Sequence, residues 1–486
     1  MTLPDPCLRV LPSRDPHNSS FVLVRDFIER LGGPMGKYAI IGRQRWWTPL
    51  RVLLLVGLAF FSFGYLSKAN CIYGKLGPDG LPFLDWAGNK PYNSACYSDI
   101  ITLYEGRGFN IGGPPYAFSW VENDTTRYLE YPVLTGYFQA AMGWLTRTTY
   151  PLASALPGAL AEAAWYFTLT ALVFAALWML VIRYTAELAG NRIWDVTLLA
   201  ASPLVIPHAL TNWDIPSILA AVLALVAYKR GGRWAPIWVG LWIGIGTALK
   251  LWPLYLLGAL LVVAFRRRQL LRFMLTAFIT GIFWLLVNIP VAVAYPAGWG
   301  EFARLNSIRG AEWTTIYEII ARLSGSQFSP GVLNSLSLIF FGCSCIGIAI
   351  LGLTARRIPR LAELLFLIVA AFLFFNKVWS PQYSLWIVVP AILALGRWRP
   401  ILAWMLVDIW VWPATLIFIG AESNRSIPHL LFDALLITRG ALILVMVVIV
   451  IRQIRGRTED VIAAAHSGMD PLVPQPAAPL SHAEPA

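Results

Sequence analysis

The sequence predicts an all-α polytopic membrane protein, a bundle of about twelve transmembrane helices with amphipathic helices on one outer face. Three observations carry this. Hydrophobic residues make up 57% of the chain and charged residues only 13%, against roughly 25% charged in soluble domains. Apolar runs of spanning or near-spanning length recur from end to end. Between them the basic residues fall in short clusters, Lys229-Arg230…Arg233, Arg266-Arg267-Arg268…Arg272, Arg356-Arg357…Arg360 and Arg397…Arg399, as cytoplasmic loops do under the positive-inside rule. That clustering argues against a nucleic-acid partner, which the net charge of +12 would otherwise suggest, because a nucleic-acid face needs a soluble basic surface. The 22 Trp residues suit a chain with many membrane–water boundaries.

Taken in order, residues 1–45 read as a polar cytoplasmic leader, with Arg43, Arg45 and Arg51 holding the N-terminus inside. No cleavable signal peptide is expected, and the first apolar run reads as a retained anchor. The runs are 48–66, 132–146, 163–184, 193–208, 214–228, 235–249, 251–265, 273–295, 333–354, 361–376, 383–396, 401–419 and 431–452. Parity removes 132–146: if it crossed, the clusters at 229–233 and 266–272 would lie outside. Its pattern agrees, since Leu134, Tyr137/Phe138, Ala141/Met142 and Leu145 recur at helical spacing opposite Thr135, Gln139, Gly143 and Thr146, as in a helix lying on the outer leaflet. Twelve spans remain within 46–452, both termini cytoplasmic, in the plasma membrane. Large outer loops occupy 67–162 and 296–332, and 453–486 reads as a disordered cytoplasmic tail. Of five cysteines, Cys343 and Cys345 are expected as small buried hydrophobes. Cys71 and Cys96 share the first outer loop, where an oxidising compartment permits a disulfide but does not demand one.

Three span pairs are too short. Two perpendicular spans need about 20 residues each to cross about 30 Å. Between Arg233 and Arg266 lie only about 32 residues, so each arm rises about 23 Å. Both bases are anchored inside, and the turn at Lys250 is therefore sunk below the outer headgroups. The same arithmetic recesses Asn212-Trp213-Asp214, between Arg192 and Lys229, and Asn376-Lys377-Val378-Trp379-Ser380-Pro381-Gln382, between Arg360 and Arg397. Charge at membrane depth is tolerated where protein or water surrounds it, so the three turns predict an outward-open cavity floored by Asp214, Lys250 and Lys377. Ordinary short loops in a thinned bilayer are the competing reading.

Such a cavity beside lipid suits a sugar carried on a lipid phosphate. A cation would hold the phosphate, and a carboxylate would take the proton of an attacking hydroxyl. The first outer loop offers Asp79, Asp85, Asp99, Glu105, Glu122, Asp124 and Glu130, and the second offers Arg304, Arg309, Glu312, Glu318 and Arg322. The residues alone do not choose among the seven acids. No P-loop, no G-x-G-x-x-G and no His/Cys metal cluster is present in the sequence.

Ser98-Asp99-Ile100…Tyr104…Gly108, Tyr131-Pro132, Lys250-Leu251-Trp252-Pro253 and Lys377-Val378-Trp379-Ser380-Pro381-Gln382-Tyr383…Trp386…Pro390 appear in that order. The set resembles glycosyltransferase family 87 of the GT-C superfamily, which includes actinobacterial polyprenyl-phosphate-mannose-dependent mannosyltransferases and arabinofuranosyltransferases. The resemblance implies an inverting transferase; no metal or other cofactor is expected, because Lys and Arg can neutralise a lipid monophosphate. It implies a polyprenyl-phosphate-sugar donor, a glycolipid or glycan acceptor and an active site facing outside. Asp99 becomes the general base and Glu130 the second choice; without the resemblance Asp99 would pass for a helix cap and Glu130 for a solvated acid. Lys250, Lys377, Gln382, Tyr383 and Arg309 become substrate-binding candidates, although the two lysines could equally snorkel. Asp214 could hold a sugar hydroxyl or pair with Lys250. Arg439 is a further phosphate candidate, its plainer role a pair with Asp433. A flippase, with polar groups near the midplane, and a non-catalytic scaffold are the competing classes.

Overall fold

The computed structural model describes residues 47–155, 158–420 and 427–473; the leader 1–45 and the tail after 473 lie outside the described residues. Helix α1 (Pro49–Leu66) starts where Thr48 caps the Arg51 amide and Pro49 presets the first turn. The first long loop then carries two antiparallel hairpins, β1 (Gly74–Leu76) with β2 (Pro82–Leu84) and β3 (Ser119–Glu122) with β4 (Thr125–Tyr128). Asn123 and Asp124, at φ 48° and 56°, form the two-residue left-handed turn that the twist of the second hairpin favours. Between the hairpins lies α2 (Asp99–Gly106), capped by Ser98. A disulfide joins Cys71 to Cys96, both fully buried.

Helix α3 (Val133–Ala153) is the expected amphipathic element. Thr135, Gln139, Gly143 and Thr146 are buried against the bundle, with Met142 turned inward beside them, while Tyr137 and Trp144 stay exposed. The outward face is thus the apolar one, as a helix at a lipid boundary requires.

The remaining helices are α4 (Glu162–Ala189), α5 (Ile215–Arg230), α6 (Ala235–Leu249), α7 (Tyr255–Arg266), α8 (Leu270–Ala294), α9 (Pro296–Ile308), α10 (Ile316–Ser324), α11 (Pro330–Thr354), α12 (Leu361–Phe375), α13 (Ser384–Leu395), α14 (Trp398–Asp408), α15 (Val411–Gly420), α16 (His429–Ile454) and α17 (Val461–Ala465). Six helical stretches are long and apolar enough to span a membrane: Pro49–Leu66, Glu162–Ala200, Leu270–Ala294, Pro330–Thr354, Trp398–Gly420 and His429–Ile454. Four more are apolar but short, Ala235–Leu249, Trp252–Arg266, Leu361–Phe375 and Pro381–Leu395. The chain is an all-α polytopic membrane protein, and its short helices are those that flank the turns at Lys250 and at 376–382.

The expected crossing 193–208 is not a regular helix. A 3-10 segment, Gly190–Val196, leads into single turns at Thr197–Ala200 and Val205–His208. Pro203 and Pro207 withhold amide donors there, and the irregular backbone is sheathed by buried Leu198, Leu199, Leu204 and Val205. Elsewhere small residues set the packing. A Cβ on Gly240 would lie 2.5 Å from the Thr276 carbonyl oxygen, so α6 and α8 approach at van der Waals contact.

Two expectations need amendment. Cys343 is exposed on α11 rather than buried, because that helix presents most of its surface outward. The tail is not disordered from residue 453 onward: α16 runs to Ile454, and the chain folds back as far as Val473. Asp460 caps α17 and pairs with Arg360 at 2.8 Å, the His466 ring accepts from the Asn191 amide at 3.1 Å, and Ile462 and Leu472 are buried. Arg360 also donates to the Leu393 and Ala394 carbonyls, 2.6 Å each. Part of the basic cluster thus satisfies orphan carbonyls at a helix end, and the folded-back tail holds it there.

Candidate active site

The site begins with α2. The Ser98 hydroxyl caps the Ile100 amide at 3.2 Å and donates to the Leu210 carbonyl at 2.6 Å. The Asp99 amide donates to the Thr211 carbonyl at 2.9 Å. Asp99 is therefore clamped onto the recessed turn between the broken crossing and α5. Its half-buried carboxylate accepts from Asn212 Nδ2 at 2.6 Å. Asn212 Oδ1 in turn accepts from Lys250 Nζ at 3.1 Å. One amide side chain thus spans the general-base candidate and the phosphate-binding candidate, its two ends oriented by their opposite charges.

Lys250 is held in a cage. Asp214 Oδ1 lies 3.5 Å from its ammonium, and the rings of Tyr131 and Tyr383 face it at 5.4 and 5.8 Å. Trp386 Nε1 donates to the same Asp214 oxygen at 2.9 Å, and Tyr383 stacks on Trp386 at 3.9 Å between centroids. Asp214 is thus paired with Lys250, yet its second oxygen is buried without a hydrogen-bond partner among the described residues. Tyr131 also receives a hydrogen bond from Asn212 Nδ2, at 2.9 Å. Thr135 of α3 donates to the Leu249 carbonyl at 2.5 Å, which moors the amphipathic helix beside the turn.

Burial pushes the Asp99 carboxyl up to about 6, against the opposing hydrogen bonds from Asn212 and Tyr97 and the Lys250 charge. Desolvation wins because the strongest donor, Asn212, is neutral. The group is thereby poised close to neutrality, where a general base works best.

Lys377 donates to the Arg309 carbonyl at 2.8 Å, and its own carbonyl accepts the Glu312 amide at 2.9 Å. The turn at 376–382 is so stitched to the loop 296–332. Arg309 pairs with Glu312 at 2.6 Å, and both lie within electrostatic reach of Tyr383. Gln382 is buried, its amide oxygen accepting from Ser380 at 2.7 Å.

Several candidates are engaged elsewhere. Both oxygens of Glu130 are taken by Arg107, at 2.6 and 2.9 Å, and Arg107 lies over the Trp120 ring. Asp85 sits between Lys75 and Lys90, 3.0 and 2.6 Å away. Arg439 does not pair with Asp433, which binds Arg322 instead. It lies 3.7 Å from Asp408, over the Trp379 ring, and donates to the Thr314 carbonyl at 2.8 Å. Asp433 sits six residues before Arg439, nearer the start of α16, where Arg322 of α10 pairs with it.

Sequence reasoning missed four contributors. Asn212 was visible in the recessed turn but carries no charge to mark it. Tyr131 and Trp386 belong to the quoted motifs yet pass for packing residues. Lys68, fully buried, donates to the Tyr97 and Pro207 carbonyls at 3.1 and 3.3 Å; two residues beyond an apolar run, it resembles an ordinary flanking lysine. Among the described residues, no group of three or more His, Cys, Asp or Glu side chains could hold a metal ion.

No curated protein matches the chain. The family model described as glycosyltransferase family 87 matches residues 145–381. That stretch takes in Asp214, Lys250, Arg309 and Lys377, whereas Asp99, Glu130, Gln382 and Tyr383 lie outside it. The match covers just under half of the chain and runs through the first two of these turns and into the third, so this part of the all-helical membrane bundle is similar to glycosyltransferase family 87, which supports a membrane glycosyltransferase.

Proposed function

We propose that the protein moves a sugar, mannose in the first instance, from a polyprenyl-phosphate donor to a cell-envelope glycolipid or glycan at the outer face of the plasma membrane. The observation that carries this reading is the Asp99–Asn212–Lys250 bridge. It sets a carboxylate of raised pKa and a buried ammonium on opposite sides of one amide, at the tip of short helices.

In the step we infer, the acceptor hydroxyl gives its proton to Asp99 as its oxygen attacks the anomeric carbon. The bond from that carbon to the phosphate oxygen breaks with inversion, and the electron pair leaves on polyprenyl phosphate. Lys250 neutralises the phosphate as its charge grows, and Lys377 and Arg309 are the further cations proposed to assist it. The unpartnered oxygen of Asp214 is suited to accept a hydrogen bond from a sugar hydroxyl, while its other oxygen fixes Lys250. Tyr383 and Gln382 line the same turn. Glu130, tied up by Arg107, is left to support the loop.

The test is transfer by membranes carrying wild type or Asp99→Asn, supplied with radiolabelled polyprenyl-phosphate sugar. Loss of about 100-fold or more is expected, and undiminished transfer would sink the mechanism. Envelope glycolipids weighed with and without the active chain separate a hexose from a pentose, and so mannosyl from arabinofuranosyl transfer. Substrate accumulation in sealed vesicles without covalent product would instead favour a flippase.

A further inference from the structure

A cavity of about 310 Å³ opens at the far ends of the helices that carry the candidate active site. Helix α5 begins beside Asp214 and α6 ends beside Lys250; the cavity lies at their opposite ends, lined by Tyr228, Arg267, Gln269, Arg272, Phe273 and, from the tail, Val473. The 16 residues of α5 separate the two places by about 24 Å.

Most cations at this end are already engaged. Arg230 pairs with Glu187 at 2.9 Å, the Lys229 ammonium donates to the Glu187 and Leu188 carbonyls, and Arg266 donates to the Gly352, Leu353 and Ala355 carbonyls at 2.8 to 2.9 Å. Arg267 and Arg272 differ. Among the described residues neither guanidinium has an ion pair within 4.0 Å, and Arg267 Nε is buried with no acceptor. Asp470 is the acid within electrostatic reach of Arg267, and one of its oxygens is taken by the Leu472 amide at 3.0 Å. Two arginines with unspent donors, beside a glutamine and a tyrosine, form a pocket for a phosphate group.

The occupant is indicated by charge and by level. Arg267 directly follows α7 and Arg272 lies in the first turn of α8, a helix long and apolar enough to span a membrane, so both guanidiniums sit at the depth of lipid headgroups. Leu271, Met274 and Phe278, 81%, 63% and 62% exposed, turn the opposite face of α8 outward. We propose that this cavity binds the phosphate of an anionic phospholipid in the leaflet opposite the active site, with the folded-back tail as one wall.

The test uses full-length protein purified in nanodiscs of phosphatidylcholine and phosphatidylglycerol, then mildly delipidated, with retained lipid measured by native mass spectrometry. Wild type is expected to keep phosphatidylglycerol. Arg267→Gln/Arg272→Gln, and separately Ala264→Phe, which fills the cavity and spares both charges, should hold it about tenfold more weakly. Arg399→Gln/Arg455→Gln, exposed basic residues away from the cavity, should retain it as wild type does. Equal retention by the cavity variants, or equal loss in the surface variant, overturns the proposal. If inorganic phosphate alone raises the melting midpoint as far as phosphatidylglycerol does, the site takes a free anion and the lipid assignment fails. Should the double arginine variant not fold, Ala264→Phe decides alone.

Discussion

At the scale of single residues, Asp99 combines two properties that pull against each other. Its carboxyl is held near 6 by burial, so it is ionised and able to take a proton only above that value. Transfer rate is expected to fall tenfold per pH unit below about 6; a rate flat from neutrality down to pH 5 would show that another group is the base. Stability runs the other way. A folded-state pKa raised above the usual 3.8 means that the native protein binds the extra proton, so the contribution to stability is complete below the unfolded value and is lost as pH rises through about 6. Asp99→Asn should therefore melt higher than wild type at pH 7.5, with the gap closing towards pH 4, while being the less active protein. Lys250 is placed differently, its charge shared by Asp214, Asn212 and two aromatic faces. Lys250→Met should raise the donor KM and lower kcat together, by at least tenfold in kcat/KM, because it also leaves the Asp214 carboxylate buried without a counter-charge. Lys250→Arg is expected to recover little, since a planar fork does not fit a cage built around a compact ammonium.

Among the elements, the first outer loop works through its ties. The disulfide closes a sequence separation of 25 residues and ends three residues before Asp99. Cys96→Ser is expected to lower stability by about 3 kcal/mol and to cost activity beyond that, because α2 loses a fixed approach to the recessed turn. Full activity in the reduced protein would argue that Ser98 and the Thr211 carbonyl suffice to place Asp99. Much of this level was legible in the sequence. Length arithmetic located the turns at Lys250 and 376–382 between short helices, and periodicity picked out α3 as a helix with an exposed apolar face. The Asp99 contact with the turn was not legible, since it depends on a broken crossing whose prolines read locally as ordinary apolar sequence. The partners of Glu130 and Arg439 were not legible for one reason: counting charges along a chain does not reveal which arginine arrives first. Arg107 reaches Glu130, Arg322 reaches Asp433, and Arg439 is left to Asp408.

Over the whole molecule, the six long helices and the four short ones divide the labour. The long ones bear exposed apolar surface, as α8 and α11 do, and the short ones flank the turns that carry Lys250 and Lys377. The proposed function requires the site outside, and we propose both termini in the cytoplasm. With single cysteines at Ser326 and Arg399, an impermeant thiol reagent applied to intact cells should label Ser326→Cys and spare Arg399→Cys; the reverse pattern would invert the protein. The short helices have a further consequence for the surrounding lipid. An arm of 15 residues, such as α6, spans about 22 Å of a hydrocarbon layer about 30 Å thick. Around that part of the rim the outer leaflet must dip by several ångströms or leave apolar chains against polar turns, at fractions of a kcal/mol for each ångström of mismatch. A lipid-borne headgroup arriving sideways would slide down that slope toward Lys250 instead of being lifted clear of the membrane. Thickening the host bilayer with longer acyl chains would steepen the slope and should slow turnover, while a thinner one would flatten it.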